Sequence, residues 1–488
     1  MVKVIGGAQE GEFKAVASGT LPNGKPVIVN ADGTVSAINL STTSKGTAVE
    51  FHNVDTYISC SAFDSNSNKV VVFYNDTSNS NNITAIVGTV DSSDNSISFG
   101  STVVVSSGAV ARSASLSATF DSNSNKIVAS WSNQNNSFYG TAIVGTVSGT
   151  SISFGSAVIF ESANTIAPNI TFDSNSNKVV IAYRDGGNSS YGTAIVGTVS
   201  GTSISFGSAA VFESANTRVP KATFDSNSNK IVIAFFDNGD SNKGKAVVGT
   251  VSGTSISFGS AVTYDTGNLS GYASAITFDS NSNKVVIAWT DSADSNYAKA
   301  IVGTVSGTSI SFGGAALIGG VTAATVQNAV FDSTTNKVCI AYKDTGNSSY
   351  GTLAVGSVSG TQISFETPFV LDTSGVFYSA SIVYDSNTNR VVISYAGETN
   401  DGYVVVVTLG TGTNLTSENY IGMSSGGAVA DGGNATVDII GSLSTNQSGL
   451  TAGQQYFVQT DGTIGTTADS PSVLAGTAIS ATELLVKT

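Results

Sequence analysis

The apolar and polar positions of this chain fall into one pattern written seven times. The motif [FY]-D-S-[NT]-[ST]-N-[KR] begins at Phe63, Phe120, Phe172, Phe224, Phe278, Phe331 and Tyr384, at intervals of 57, 52, 52, 54, 53 and 53 residues. In the third copy a short apolar segment ends at Phe172, and residues 173–177 (DSNSN) make a polar break. Residues 178–183 (KVVIAY) follow, dense in β-branched side chains. A polar loop then leads into residues 191–199 (YGTAIVGTV), and Ser-Gly-Thr turns into residues 203–212 (SISFGSAAVF). Alternation with period two, β-branched enrichment and frequent Gly/Asn/Ser breaks predict four short antiparallel strands per copy. No helical period persists. Four strands in about 53 residues is the size of a propeller blade, and seven copies lie within the known range of blade numbers. The expected fold is all-β, a seven-bladed β-propeller over residues 43–413.

The seventh copy supplies three strands, 379–384, 390–395 and 403–408, and then loses the SISFGSAV pattern. The missing piece stands before the first copy, where Gly46–Phe51 parallels Gly155–Phe160. An N-terminal strand is therefore expected to complete the last blade and leave no free edge at the seam. The two ends also resemble each other. Residues 21–35 match residues 450–464 position for position, each reading strand, Asp-Gly turn, strand. Residues 1–42 (an N-terminal β segment) and 414–488 (a C-terminal β module) are expected to pack together.

Composition narrows the class. Apolar residues make up 40% of the 488, enough for a core, whereas charged residues are only 11%, below half the usual share of about 25%. Lys+Arg 20 against Asp+Glu 34 gives a net charge of −14 with no basic stripe, so no nucleic-acid partner is expected. No apolar run approaches membrane-spanning length, and residues 1–10 lack the apolar core of a secretory signal. Cys60 and Cys339 sit in strand-like runs and read as buried free thiols. The surface is rich in Ser, Thr, Asn and Gly, as for an extracellular setting. Assembly in a cytoplasm followed by release through lysis reconciles that surface with the missing export signal.

The terminal stretch at 449–458 (GLTAGQQYFV), followed by Asp461-Gly462-Thr463, 473–480 (VLAGTAIS) and 484–486, resembles modules of tailed-bacteriophage fibre and virion-surface proteins. The FDSNSNKVVIAY…GTAIVGTVSGTSISF repeat is similar to repeats in structural proteins of marine phages. The resemblance implies a tail fibre or similar appendage on the virion surface. It further implies contact with a host cell-surface glycan or protein receptor, and other virion proteins as neighbours. Symmetric fibres are often trimers, so a homo-oligomer is among its implications, although no coiled coil is present to enforce one. It implies no catalytic residues. The alternatives are a purely structural virion protein, such as a head decoration or tail adaptor, and a glycan hydrolase acting on the propeller face.

Candidate chemistry is sparse. Asp-x-Asn-x-Asn resembles the start of a calcium loop, but each copy offers one carboxylate, no glycine at the sixth place and no distal acid. Asx turns explain it better. His52 is the only histidine, and no zinc cluster, P-loop or dinucleotide fingerprint occurs, so no cofactor and no metal are expected. Glycosidases need two carboxylates flanking one bond, and no such pair stands out. The informative feature is an aromatic-x-acid ending of the second strand: Tyr74/Asp76, Tyr183/Asp185, Phe235/Asp237, Trp289/Asp291 and Tyr342/Asp344, with Trp131/Asn133 as a neutral variant. The seventh copy departs, with Tyr395 then Gly397. A second aromatic often follows the loop, at Tyr139, Tyr191, Tyr297, Tyr350 and Tyr403.

Loops after strands two and four should emerge on one rim and those after strands one and three on the other. The second set barely varies: DSNSN recurs in five of seven copies. The first set differs nearly every time, as in residues 133–138, 186–190, 238–243 and 292–296, or 164–168, 216–220, 268–272 and 320–326. That variable rim also gathers Arg184, Arg218, Lys243 and Lys343. Flat aromatic faces and carboxylates suit sugar C–H faces and hydroxyls, so this rim is the expected glycan-binding face. The plainer alternative is that the aromatics pack between blades while each Asp begins a turn.

Overall fold

The computed structural model describes residues 11–53, 56, 59–109, 116–267, 269, 274–319 and 324–487. It divides the chain into two compact units, residues 44–408 and the paired ends 1–43 with 409–488. Regular structure is almost wholly antiparallel strand, with four single-turn 3₁₀ segments among the described residues.

In the larger unit each copy forms a four-stranded antiparallel sheet. The third copy shows the plan. Its first strand is the end of the long strand Val158–Asp173; Lys178–Asp185 and Tyr191–Ser200 follow. The outer strand is broken into Ser203–Phe206 and the start of Ala210–Asp225, both paired with Tyr191–Ser200. The two 16-residue strands run from the outer edge of one sheet to the inner edge of the next, so one segment belongs to two copies.

Burial explains the sequence pattern. The second strand is buried along nearly its whole length because both faces of the sheet are covered, hence a continuous apolar run rather than alternation. Val179, Ile181 and Tyr183 pack toward the second copy with Val128 and Val144, while Val180 and Ala182 pack toward the fourth with Ile231 and Phe235. The SISF pieces alternate because only one of their faces is covered: Ile204 is buried between exposed serines. The cores therefore lie between successive sheets, not within one.

The first strands form the inner layer. Each contacts the first strands of its neighbours, and that of the seventh copy contacts that of the first. A recurring bond links them, made by the side chain three places before the Phe/Tyr of the motif. Ser117 Oγ accepts from the Ile170 amide at 3.2 Å, Asn169 Oδ1 from the Ala222 amide at 2.7 Å, and Ser381 Oγ from the Ser61 amide at 2.9 Å. The last of these joins the seventh copy to the first. At the same junction Ser44–Lys45 and Val49–His52 pair with Gly402–Thr408, the position that the likeness of Gly46–Phe51 to Gly155–Phe160 anticipates. Arg390 adds bonds from Nε to Asn95 Oδ1 at 2.6 Å and from Nη2 to the Ser92 carbonyl at 2.7 Å.

The glycine at the break of the outer strand is set by its neighbour. At Gly100, Gly155, Gly207, Gly259 and Gly313 a Cβ would collide with the carbonyl oxygen of Thr150, Thr202, Thr254, Thr308 and Thr361, the last residue of the next copy's Ser-Gly-Thr turn. Gly46 meets Asn95 in the same way. The seventh copy has no such turn. There the glycine is replaced by Glu366, whose carboxylate pairs with Lys337 at 2.7 Å.

The smaller unit holds two five-stranded antiparallel sheets. One is Glu12–Val16, Asn434–Ile439, Tyr420–Ser425, Pro26–Val29 and Val35–Ala37, drawing on both ends of the chain. The other is Leu443–Ser444, Leu484–Val486, Val473–Ala478, Gln455–Val458 and Ile464–Gly465. Ile28, Tyr420 and Met423 of the first pack with Tyr456, Val458 and Leu484 of the second. The matched segments make the same hairpin: the Thr34 amide donates to Asp32 Oδ1 at 3.0 Å and the Thr463 amide to Asp461 Oδ1 at 2.9 Å.

Gly155→Ala should cost roughly 1–3 kcal/mol through overpacking against backbone. Glu366→Ala, at the junction without a turn, should stay within about 1 kcal/mol of the parent. Denaturant unfolding of both variants checks this, and an equal loss in the two would contradict it.

Candidate functional site

The loops after strands two and four share one rim, as their mutual bonds show. The Gly186 amide donates to the Asn164 carbonyl at 2.7 Å, and the Thr217 amide to the Ser190 carbonyl at 3.0 Å. Of the inter-copy loops singled out on sequence, residues 268, 270–273 and 320–323 lie outside the described residues.

The aromatics that end the second strands do not face solvent. Tyr74, Trp131, Tyr183, Phe235, Trp289 and Tyr342 are each 0% exposed. They are wedges between copies. Tyr183 packs edge-on against Phe160 at 5.4 Å between ring centroids, Phe235 against Phe212 at 5.2 Å, and Trp289 against Tyr264 at 5.1 Å. The carboxylates two places on are engaged in their own loops. Asp185 Oδ1 accepts from the Gly187 and Asn188 amides, Asp237 Oδ1 from Gly239 and Asp240, and Asp291 Oδ1 from Ala293 and Asp294. Asp344 takes the Asn347 amide, Asp76 the Asn79 amide and Asn133 the Asn135 amide. The expectation of open aromatic faces beside free acids is corrected for these residues. Large rings fill the wedge between splayed sheets, and Asp and Asn cap turns.

The same holds on the opposite rim. Asp64, Asp121 and Asp173, all at most 3% exposed, accept amide bonds from the residues two and three places on. Among the described residues no group of three or more His, Cys, Asp or Glu side chains is placed to hold a metal.

The second-strand loops differ in sequence yet share a conformation. Each copy, including the seventh where Gly397 provides no side-chain cap, places two successive non-glycine residues in the left-handed region ahead of the third strand: Ser80/Asn81, Ser137/Phe138, Ser189/Ser190, Ser241/Asn242, Ser295/Asn296, Ser348/Ser349 and Thr399/Asn400. Short polar side chains tolerate this backbone. Phe138 is the exception, a ring 38% exposed where other copies carry Ser or Asn. Sequence reasoning passed over Phe138, and its signal was that departure from the column. The second aromatics Tyr139, Tyr191, Tyr297, Tyr350 and Tyr403 are all half-buried.

Polar groups cluster where each wedge ends. The Tyr183 hydroxyl donates to Glu161 Oε2 at 3.0 Å and the Tyr395 hydroxyl to Asp372 Oδ2 at 2.9 Å. By contrast, Tyr74 Oη, Trp131 Nε1 and Tyr342 Oη are buried with no hydrogen-bond partner among the described residues. In the fourth and fifth copies a lysine replaces the threonine of other copies. Lys245 Nζ lies 2.6 Å from Asp237 and 3.1 Å from Asp240; Lys299 Nζ lies 2.8 Å from Asp291 and 2.7 Å from Asp294. Burial alone would lower Lys245, but its hydrogen bonds to Asp237 and Asp240 outweigh it and raise it. Burial, then the neighbouring Asp291, raises Asp265 above the ordinary aspartate value of 3.8. Burial, then Asp237, likewise raises Glu213.

No protein-family model matches the sequence, and no curated protein matches it. Solved structures do. The chain has an all-β, propeller-like fold, the class to which its structural neighbours belong. It superposes on the BP39L lectin of Burkholderia pseudomallei with a TM-score of 0.52 at 10% identity, over 82% of this chain and 99% of the lectin. A triple arginine-to-alanine mutant of AofleA from Arthrobotrys oligospora gives a TM-score of 0.43 at 10% identity, over 71% of this chain and 92% of that one.

Because the folded state raises the Asp265 pKa, ionised Asp265 disfavours folding as pH rises above about 3.8. Asp265→Asn should therefore melt higher than the parent at pH 7. Its advantage should shrink toward zero near about pH 2.5, well below the unfolded value, where the parent carboxyl is protonated in both states. Thermal unfolding at the two pH values checks the sign.

Proposed function

We propose that the chain is a non-enzymatic carbohydrate-binding protein built on a closed seven-bladed β-propeller, with glycan held on the rim of the strand-two and strand-four loops. One observation carries the reading: five copies carry a half-buried Tyr after the second-strand loop, the second adds the exposed Phe138, and in the second and sixth the wedge tips Trp131 Nε1 and Tyr342 Oη have no hydrogen-bond partner among the described residues. Buried donors without partners mark places for an outside ligand. Aromatic faces with convergent polar groups suit sugars. The fold likeness to a lectin supports the same reading. Cyclic contact of the first strands and the pairing of Ser44–His52 with the seventh copy support closure. The virion-surface setting, with host contact through this rim, belongs to the same proposal and rests on the repeat and terminal motifs. Locating the chain on purified particles by labelled-antibody imaging tests it.

Retention of host-surface glycans on the immobilised protein, without released sugar, is the expected result. Tyr139→Ala, Tyr191→Ala, Tyr297→Ala and Tyr350→Ala combined should reduce retention at least roughly tenfold while the protein stays folded, since these rings are only half-buried. Asn66→Ala and Asn175→Ala on the other rim should leave it unchanged. Released sugar would mean a hydrolase, and no retention would sink the reading.

A further inference from the structure

The seven first strands enclose a cavity of about 690 Å³, within the range of small-molecule sites, about 300–1,000 Å³. Residues from all seven copies line it, including Ser59, Ser117, Asn169, Gln327, Asn328 and Ser381. The wall is polar and, among the described residues, carries one side chain charged at neutral pH, Lys221.

Lys221 occupies the position where other copies place Cys60, Ser117, Asn169, Ala275, Asn328 and Ser381. Three of those side chains accept the amide of the next copy. An ammonium has donors only, so Lys221 cannot serve the equivalent amide, that of Ile276. Nor does it form an ion pair among the described residues. The titratable group that it senses is the Cys60 thiol of the first copy, itself held protonated by burial. A basic side chain that cannot do its neighbours' structural work, in a cavity whose other polar side chains are neutral, is a recognition element for an anion.

We propose that this cavity binds a small hydroxylated carboxylate of the sugar-acid class, its carboxylate on the Lys221 ammonium and its hydroxyls on the Ser, Asn and Gln side chains of the first strands. The site takes in Pro168, Thr325 and Val326 of the inter-copy loops but does not depend on the rim reading. Burial lowers the Lys221 pKa, and a bound carboxylate would push it back up.

Calorimetry of the full chain with D-glucuronate should give one site per chain. Lys221→Met should weaken it roughly tenfold or more, the loss of one charge-assisted bond. D-glucose should bind far more weakly than glucuronate. Tyr191→Ala on the rim should leave glucuronate binding unchanged. Independently of any variant's folding, the Lys221 titration followed by NMR in the parent should move up when glucuronate is added. No measurable glucuronate binding, equal binding by folded Lys221→Met, equal affinity for glucose, or an unmoved Lys221 titration would each overturn the proposal.

Discussion

The contact between successive copies is the constraint on which the larger unit depends. A single four-stranded sheet with a narrow inner strand cannot bury both faces of KVVIAY by itself. Each face is covered by the next copy, so Val179, Ile181 and Tyr183 are core for one junction while Val180 and Ala182 are core for the other. Three features recur at these junctions: a ring wedge near the variable rim, a glycine resting on the neighbour's turn at the opposite rim, and, at three of them, side-chain-to-amide bonds along the inner strands. Glu366 shows the logic by exception. Where the neighbour's turn is missing, the need for glycine vanishes.

Much of this was legible in the sequence. Seven copies, four strands each, and the displaced strand at Gly46–Phe51 follow from repetition and alternation alone. The reason for the break glycine was hidden, because the atom it avoids lies in another copy about 50 residues along the chain. The wedge aromatics were misjudged for a related reason. In a strand buried on both faces the alternation that separates inside from outside disappears, so Tyr183 and Trp289 read equally well as rim or core. The Asp residues beside them looked free because an Asx cap and a ligand-binding acid share one residue type.

The loops reverse the usual relation between sequence and shape. Residues 133–138, 185–190 and 237–242 have little sequence in common, yet each begins with an Asx cap and ends in two left-handed residues. The backbone of the rim is thus fixed by a few short polar side chains, and the remaining positions are free to differ. Such a rim can carry seven versions of one loop, as the Lys245 and Lys299 clusters of the fourth and fifth copies and Phe138 of the second show. Diversity there costs the fold little, since the junction cores lie beneath it.

The central claim is that the seventh copy meets the first and closes the ring. Ser61 and Ser381 stand on the two first strands at that seam with their hydroxyl oxygens 3.0 Å apart. The double variant Ser61→Cys/Ser381→Cys, with Cys60 and Cys339 replaced by serine, should form an intramolecular disulfide on mild oxidation, because thiols there are within bonding reach. Peptide mapping should recover the 61–381 cross-link from monomeric protein in high yield. Free thiols at both positions in folded protein, or cross-links only between chains, would contradict closure.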